Sequence, residues 1–226
     1  MNSSIYFHIP YCKQACTYCD FHFSTNLNTK EQVVNFMLDE LVQQSNVLPW
    51  NETEISSIYF GGGTPSLLNH DQIQRFIQVV QRHFKWSKNH VEITLEANPG
   101  SVEATRFRGY RQGGVNRISM GIQALNNHDL KKLGRIHSVE EAIAAFDIAR
   151  DTFDRVSFDL IYARQDQTTS EWETELTQAL DMAIDHLSLY QLTIEEGTAF
   201  GEKEREPGKV QLPLINFRFC EIRIVA

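Results

Sequence analysis

Positive charge is in short supply in this chain. Its 226 residues carry 21 Lys and Arg against 29 Asp and Glu, a formal net charge of −8. Tracking a phosphate backbone needs a basic face, so nucleic-acid binding is not expected. Long apolar runs are also missing, and no stretch approaches the ~20 residues of a membrane-spanning helix. The opening MNSSIYFHIPYC has neither a basic n-region nor an extended apolar h-region. No signal peptide is therefore expected, and the reading is cytoplasmic. Cysteine is sparse, at four residues. In a reducing compartment clustered cysteines more often bind metal or react than form disulfides. The eight histidines show no metal-ligand spacing among themselves. There is no long linker and no low-complexity run. The remaining composition, 42% hydrophobic and 22% charged, is that of a soluble globular protein large enough to bury one core.

Three of the four cysteines stand together. Cys12, Cys16 and Cys19 fall in HIPYCKQACTYCDF with the spacing C-x3-C-x2-C. Soft thiolates suit iron–sulfur sites, and three of them can hold three irons of a 4Fe–4S cubane. The fourth iron is left open to bind a substrate or cofactor directly, which is the logic of an S-adenosylmethionine (SAM) site. The alternative is structural zinc, with His22 completing a Cys3His tetrahedron. Cys220 lies far away and reads as a free thiol.

Strand-like and helix-like segments alternate along the chain. Candidate strands are 4–9, 55–60, 91–97, 117–123, 155–162 and 186–194, each short and rich in β-branched, aromatic and aliphatic residues. Between them Ile73, Phe76, Ile77, Val80 and Phe84 share one helical face, as do Trp172, Leu176, Ala179, Leu180 and Ala183. Ser138 with Glu141, Ser170 with Glu173, Thr29 with Gln32 and Asn69 with Gln72 read as capping boxes. Residues 202–209, EKEREPGK, read as a surface loop. Six such repeats imply a parallel sheet with right-handed crossovers, an α/β fold of the partial (β/α)6, TIM-like barrel kind. In barrel-like α/β folds chemistry sits at the C-terminal ends of the strands. Here those ends carry the cysteine loop, Gly61-Gly62-Gly63-Thr64-Pro65, Glu96 and Asn98, Gln123, Asp159 and Tyr162, and Gln191 and Thr193.

GGGTP lets a backbone pass close to a ligand and offer it both donors and acceptors, as a zwitterionic amino acid requires. A plain tight turn is the bland alternative. Glu96, among apolar strand residues, suits a ribose hydroxyl or an ammonium, or else a salt bridge at the strand end. Arg135, in KKLGRIH, could pair with a carboxylate, or simply face solvent. Asp159 is a charge within an apolar strand, so a functional or paired role is expected. His8 reads as a packed core histidine.

Taken together, YFHIPYCKQACTYCDF, YFGGGTP, LEANP, RISMGIQ, LGRIHS, FDLIY and LSLYQLTIEEGTAF resemble the radical SAM family of oxygen-independent coproporphyrinogen III oxidase. Within it they most resemble the HemW branch of haem chaperones. The discriminating position is Phe21, where authentic dehydrogenases carry a further cysteine. The resemblance implies that Cys12, Cys16 and Cys19 ligate a 4Fe–4S cluster. It further implies that Tyr6, Gly62 and Glu96 lie along the cluster-bound SAM. Tyr18, Gly63, Thr64, Gln123, Arg135 and Asp159 match the family's second SAM pocket.

The resemblance runs from residue 4 to about residue 206, giving a radical SAM core, 1–206, and an atypical tail, 207–226. Two departures stand out. The family reads GLPGQT where this chain has Ala163-Arg164-Gln165-Asp166-Gln167-Thr168. The tail LINFRFCEIRIVA lacks the HNxxYW-like segment associated with haem in the branch, so the chain reads as truncated, with the accessory domain absent and the apolar Leu212, Leu214, Ile215, Phe217 and Phe219 near its end. The implied function is a haem chaperone that holds cluster and SAM and passes haem to an acceptor protein of unknown identity. A flavodoxin or ferredoxin would supply electrons if the cluster is redox-active. The competing function is coproporphyrinogen III dehydrogenation.

Overall fold

The computed structural model describes residues 2–47, 54–87, 91–101, 104–183, 186–204 and 224–225. Its strands are β1 (Asn2–Ile9), β2 (Glu54–Gly62), β3 (Lys85–Trp86), β4 (Glu92–Ala97), β5 (Arg117–Gln123), β6 (Arg155–Tyr162), β7 (His186–Gln191) and β8 (Ile224–Val225). Its helices are α1 (Lys30–Val47), α2 (His70–His83), α3 (Ala104–Gln112), α4 (Asn127–Lys132), α5 (Val139–Thr152), α6 (Thr169–Met182) and α7 (Ala199–Glu204).

One sheet holds all eight strands in the order β1-β2-β4-β5-β6-β7-β8, with the short β3 beside β2. Every pairing from β1 to β7 is parallel, and only β7 with β8 is antiparallel. Six long strands in sequence order with helical crossovers form an open partial barrel.

Alternation along each strand sorts the two faces. Phe7, Ile58, Phe60, Ile93, Leu95, Ile118, Met120, Val156, Phe158 and Leu187 are buried in one continuous core with Ile73, Phe76, Val80, Phe107 and Phe146 of the helices. Phe7, Phe60 and Phe76 stack with ring centroids 4.7–5.8 Å apart, within the range favoured by aromatic pairs. The opposite, concave face carries Tyr6, Tyr59, Glu96, Ser119, Ser157, Asp159 and Ser188. The sheet is therefore apolar toward its helices and polar toward its hollow.

Some local expectations shift. Ser138 with Glu141 and Asn69 with Gln72 form complete capping boxes. The box on α6 is Thr168 with Glu171 rather than Ser170 with Glu173. The sequence fits the pattern at both places, but a tight turn in which Gln167 N donates to Arg164 O starts the helix two residues early. Thr29 does not cap α1. It lies in a 3-10 turn capped by Asn26, and its hydroxyl meets that of Tyr11 at 2.8 Å. Leu180 is 48% exposed and leaves the face shared by Trp172, Leu176 and Ala179. His8 is only partly buried, with Nε2 donating to the His22 carbonyl at 3.0 Å. Glu202–Glu204 end α7 instead of forming a loop. Residues 205–209, Cys220 and the apolar tail positions lie outside the described residues.

Candidate functional site

The cysteine segment is a loop fastened at both ends and along its flank. Ser24 N donates to Pro10 O and Cys12 N to Ser24 O, closing its base at 2.8 and 3.1 Å. Thr17 Oγ1 reaches Lys132 O at 3.1 Å and Gln14 Nε2 reaches Gly134 O at 2.6 Å, tying it to the segment after α4. Phe200 N donates to Thr17 O, adding α7 to the support.

The glycine loop after β2 packs against the same segment. Gly63 N donates to Ile9 O at 2.9 Å and Thr64 N to Tyr11 O at 2.6 Å. A Cβ on Gly63 would lie 2.5 Å from the Tyr11 carbonyl oxygen, closer than real Cβ contacts come. Gly62 has φ +101°, and its Cβ would meet the His8 ring at 2.7 Å. Gly62 is thus demanded by a left-handed conformation and Gly63 by close backbone approach to the cysteine segment.

These loops frame a cavity of about 490 Å³ at the C-terminal ends of the strands. It is lined by all three cysteines together with Tyr18, Gly62, Gly63, Thr64, Glu96, Gln123, Arg135 and Asp159. Of the residues assigned to the cluster and SAM, only Tyr6 is absent from this lining, and of the other strand-end residues Gly61 and Tyr162 are absent too, Tyr162 packing on Trp172 instead. Tyr6 stacks on Tyr59 with centroids 5.9 Å apart, and Tyr59 hydroxyl donates to Glu96 at 2.8 Å. Tyr6 stands one ring away from the lining and is 57% exposed.

A polar chain crosses the cavity wall between two cysteines. Thr64 hydroxyl donates to Cys12 Sγ at 3.7 Å, and Asn98 Nδ2 donates to Thr64 Oγ1 at 3.0 Å. Arg135 donates to Asn98 Oδ1, to Gly121 O at 2.9 Å and to Cys16 Sγ at 3.4 Å. On the other side Tyr190 hydroxyl donates to Gln123 Oε1 at 2.5 Å and shares a hydrogen bond with Tyr18. Asn98, named at the end of its strand, lines the cavity too, and Tyr59, Tyr190 and His137 complete the site beyond the residues singled out from the sequence. Tyr190 could have been found by extending the strand-end rule one position within its motif, LSLYQ.

Burial sets the electrostatics. It raises the Cys12 and Cys19 thiols above their usual range, and Glu96 likewise, against the opposing Tyr59 hydroxyl and Gly62 N–H. Asp159 is pushed up to about 7 by desolvation and by the charge of Glu96. His137, whose Nε2 donates to Ile122 O, is pulled down to about 4 by burial and by Arg135.

Cys12, Cys16 and Cys19 are unbridged thiols on one wall. Among the described residues no three His, Cys, Asp or Glu side chains are gathered around a single metal-ion centre. His22 is not among the cavity-lining residues. A cubane takes its thiolate ligands on separate irons, so three soft donors along one wall of a cavity fit a cluster better than one tetrahedral ion.

The radical SAM superfamily model matches residues 6–178. The "Heme chaperone HemW" of Haemophilus influenzae is 39% identical over 204 residues, covering 87% of this chain and 52% of that protein. The "Heme chaperone HemW" of Escherichia coli is 41% identical over 203 residues, covering 88% and 53% respectively. The chain thus spans about half the length of these relatives. Among solved structures, coproporphyrinogen III oxidase (HemN) from Escherichia coli, described as a radical SAM enzyme, superposes with a TM-score of 0.80 at 27% identity. That match covers 93% of this chain and 48% of the other.

Proposed function

The chain belongs to the radical SAM superfamily, and on that premise we propose that it is the core of a haem chaperone that binds a 4Fe–4S cluster and SAM. Cys12, Cys16 and Cys19 would hold the cluster. When bound, it would offer one open iron to the amino and carboxylate groups of SAM. Gly62 and Gly63 bring bare backbone to the place where that amino acid moiety would lie. Glu96, fixed by Tyr59, would accept from its ammonium or from a ribose hydroxyl. Tyr18, Thr64, Gln123, Arg135 and Asp159 would line the rest of the pocket. Haem would be passed on to an acceptor protein in the cytoplasm, with a flavodoxin or ferredoxin supplying electrons where the cluster is reduced.

The observation that carries the chaperone reading over the dehydrogenase reading is Phe21. Its backbone N–H donates toward Cys19 sulfur. Its ring lines the cavity mouth at 59% exposure, where the resemblance places a further cysteine in dehydrogenases. A phenyl ring can neither ligate metal nor carry a proton or electron for substrate. The experiment is a pair of anaerobic assays on reconstituted protein with SAM and reductant. Saturable haem binding without conversion of coproporphyrinogen III is expected. Sustained turnover to protoporphyrinogen IX would overturn the chaperone assignment.

A further inference from the structure

Arg135 is a guanidinium without a carboxylate. Among the described residues no Asp or Glu lies within ion-pair distance of it. Its hydrogen-bond partners are the Gly121 carbonyl, the Asn98 amide oxygen and the sulfur of Cys16. The first two are neutral and fix the plane of the group. The third is the only partner that can become an anion. Asn98 cannot swing freely, because its other end donates to Thr64 hydroxyl, which in turn donates to Cys12 sulfur. A side-chain amide thus aims a permanent positive charge at one cysteine sulfur while tethering the donor to another.

We propose that Arg135, positioned by Asn98, sets the reduction potential of the cluster through its charged hydrogen bond to the sulfur of Cys16. This rests on the reading that the cysteines hold a 4Fe–4S cluster. Adding one electron to such a cluster places more negative charge on its sulfurs. A donor hydrogen bond and a nearby cation stabilise that reduced state more than the oxidised one, which raises the potential. A lysine could keep the charge but not the fork that spans Asn98, Gly121 and Cys16 at once.

The test is a dithionite titration of the anaerobically reconstituted full chain without SAM, followed by EPR. SAM is omitted because its carboxylate would compete for the same guanidinium. Parent protein is compared with R135Q, R135K and N98A. R135Q should titrate at a lower potential than the parent, with N98A and R135K between them, at unchanged iron content. Identical potentials in all four proteins would overturn the proposal. Loss of iron from both R135Q and N98A, with thermal stability unchanged, would also overturn it, by assigning the pair to cluster assembly. Failure of the parent itself to take up iron would refute the cluster reading instead, and iron analysis of the parent separates the two.

Discussion

Among the described residues Arg164 and Arg135 both turn inward, and they are held differently. Arg164 is 3% exposed. Its Nε donates to Asp129 at 2.8 Å, one terminal nitrogen pairs with Glu175 and the other reaches Ile161 O at 2.6 Å. Glu175 also accepts from Leu125 N and from Gln167. The cluster closes on itself and joins α4, α6 and the turn after β6. Arg135 hydrogen-bonds two neutral acceptors and a thiol at the edge of a cavity, with Tyr18, Tyr190 and Asp159 within reach of its field but no carboxylate at ion-pair distance among the described residues. One cation is matched to carboxylates and sealed, so it fixes structure. The other keeps its charge unmatched, so it is available to an anion that arrives with a cluster or ligand. Buried charge is costly unless paired, and proteins tolerate the unpaired case mainly where a site uses it.

The sharpest way to break this comparison is to delete one partner of the sealed cluster. Glu175→Ala should cost about 3–5 kcal/mol in urea unfolding, because it removes one of the two carboxylates that neutralise a buried guanidinium and leaves its terminal nitrogen and Leu125 N without that acceptor. Glu175→Leu combined with Arg164→Met should cost much less than the two single losses added. Next, Gly63→Val forces a side chain into the Tyr11 carbonyl. It should destabilise by roughly 1–3 kcal/mol and release the cysteine loop. Arg135→Gln, by contrast, should change the stability of the metal-free protein by no more than about 1 kcal/mol.

Protonation gives a finer contrast. Asp159, raised from 3.8 to about 7, contributes stability that is present at low pH and lost as pH rises between those values. His137, lowered from 6.5 to about 4, acts in the opposite sense, its contribution being lost as pH falls through that window. Asp159 faces an open cavity, so its effect is smaller than a sealed carboxylate would give. In metal-free protein Asp159→Asn should remove the decline on the way to neutral pH, measured as Tm against pH. A Tm profile identical to the parent's would contradict the assignment. The smallest effect concerns the turn beside Arg164. Ala163 and Asp166 have φ +55° and +61°, so Ala163→Gly should raise stability by roughly 0.5–1 kcal/mol.

That turn also shows what the sequence could and could not convey. Ala163 and Asp166 occupy the two positions where the resemblance has glycine, and both adopt left-handed conformations. Here the turn is braced by buried Arg164, whose terminal nitrogen donates to Ile161 O and whose backbone N–H donates to Gln167. The six long strands were legible because period-two alternation and strand length are local properties. The cavity-lining residues were legible because they sit at strand ends in recognisable runs. Pairings across the fold were not. Asn98 meets Arg135 across 37 residues and Leu125 meets Glu175 across 50, and no local pattern announces such partners. Ser170 with Glu173 failed for the opposite reason: two overlapping boxes fit the same pattern, and only the turn before them decides.

Three thiols, a glycine cradle and one hollow are proposed to act as a single cofactor site. Anaerobic reconstitution with iron and sulfide, with metal analysis and EPR of the reduced protein before and after SAM, tests it most directly. About four irons per chain are expected, with colour and iron lost in Cys16→Ala and the spectrum altered by SAM. Stoichiometric zinc with no iron uptake, or a spectrum that excess SAM leaves unchanged, would contradict it.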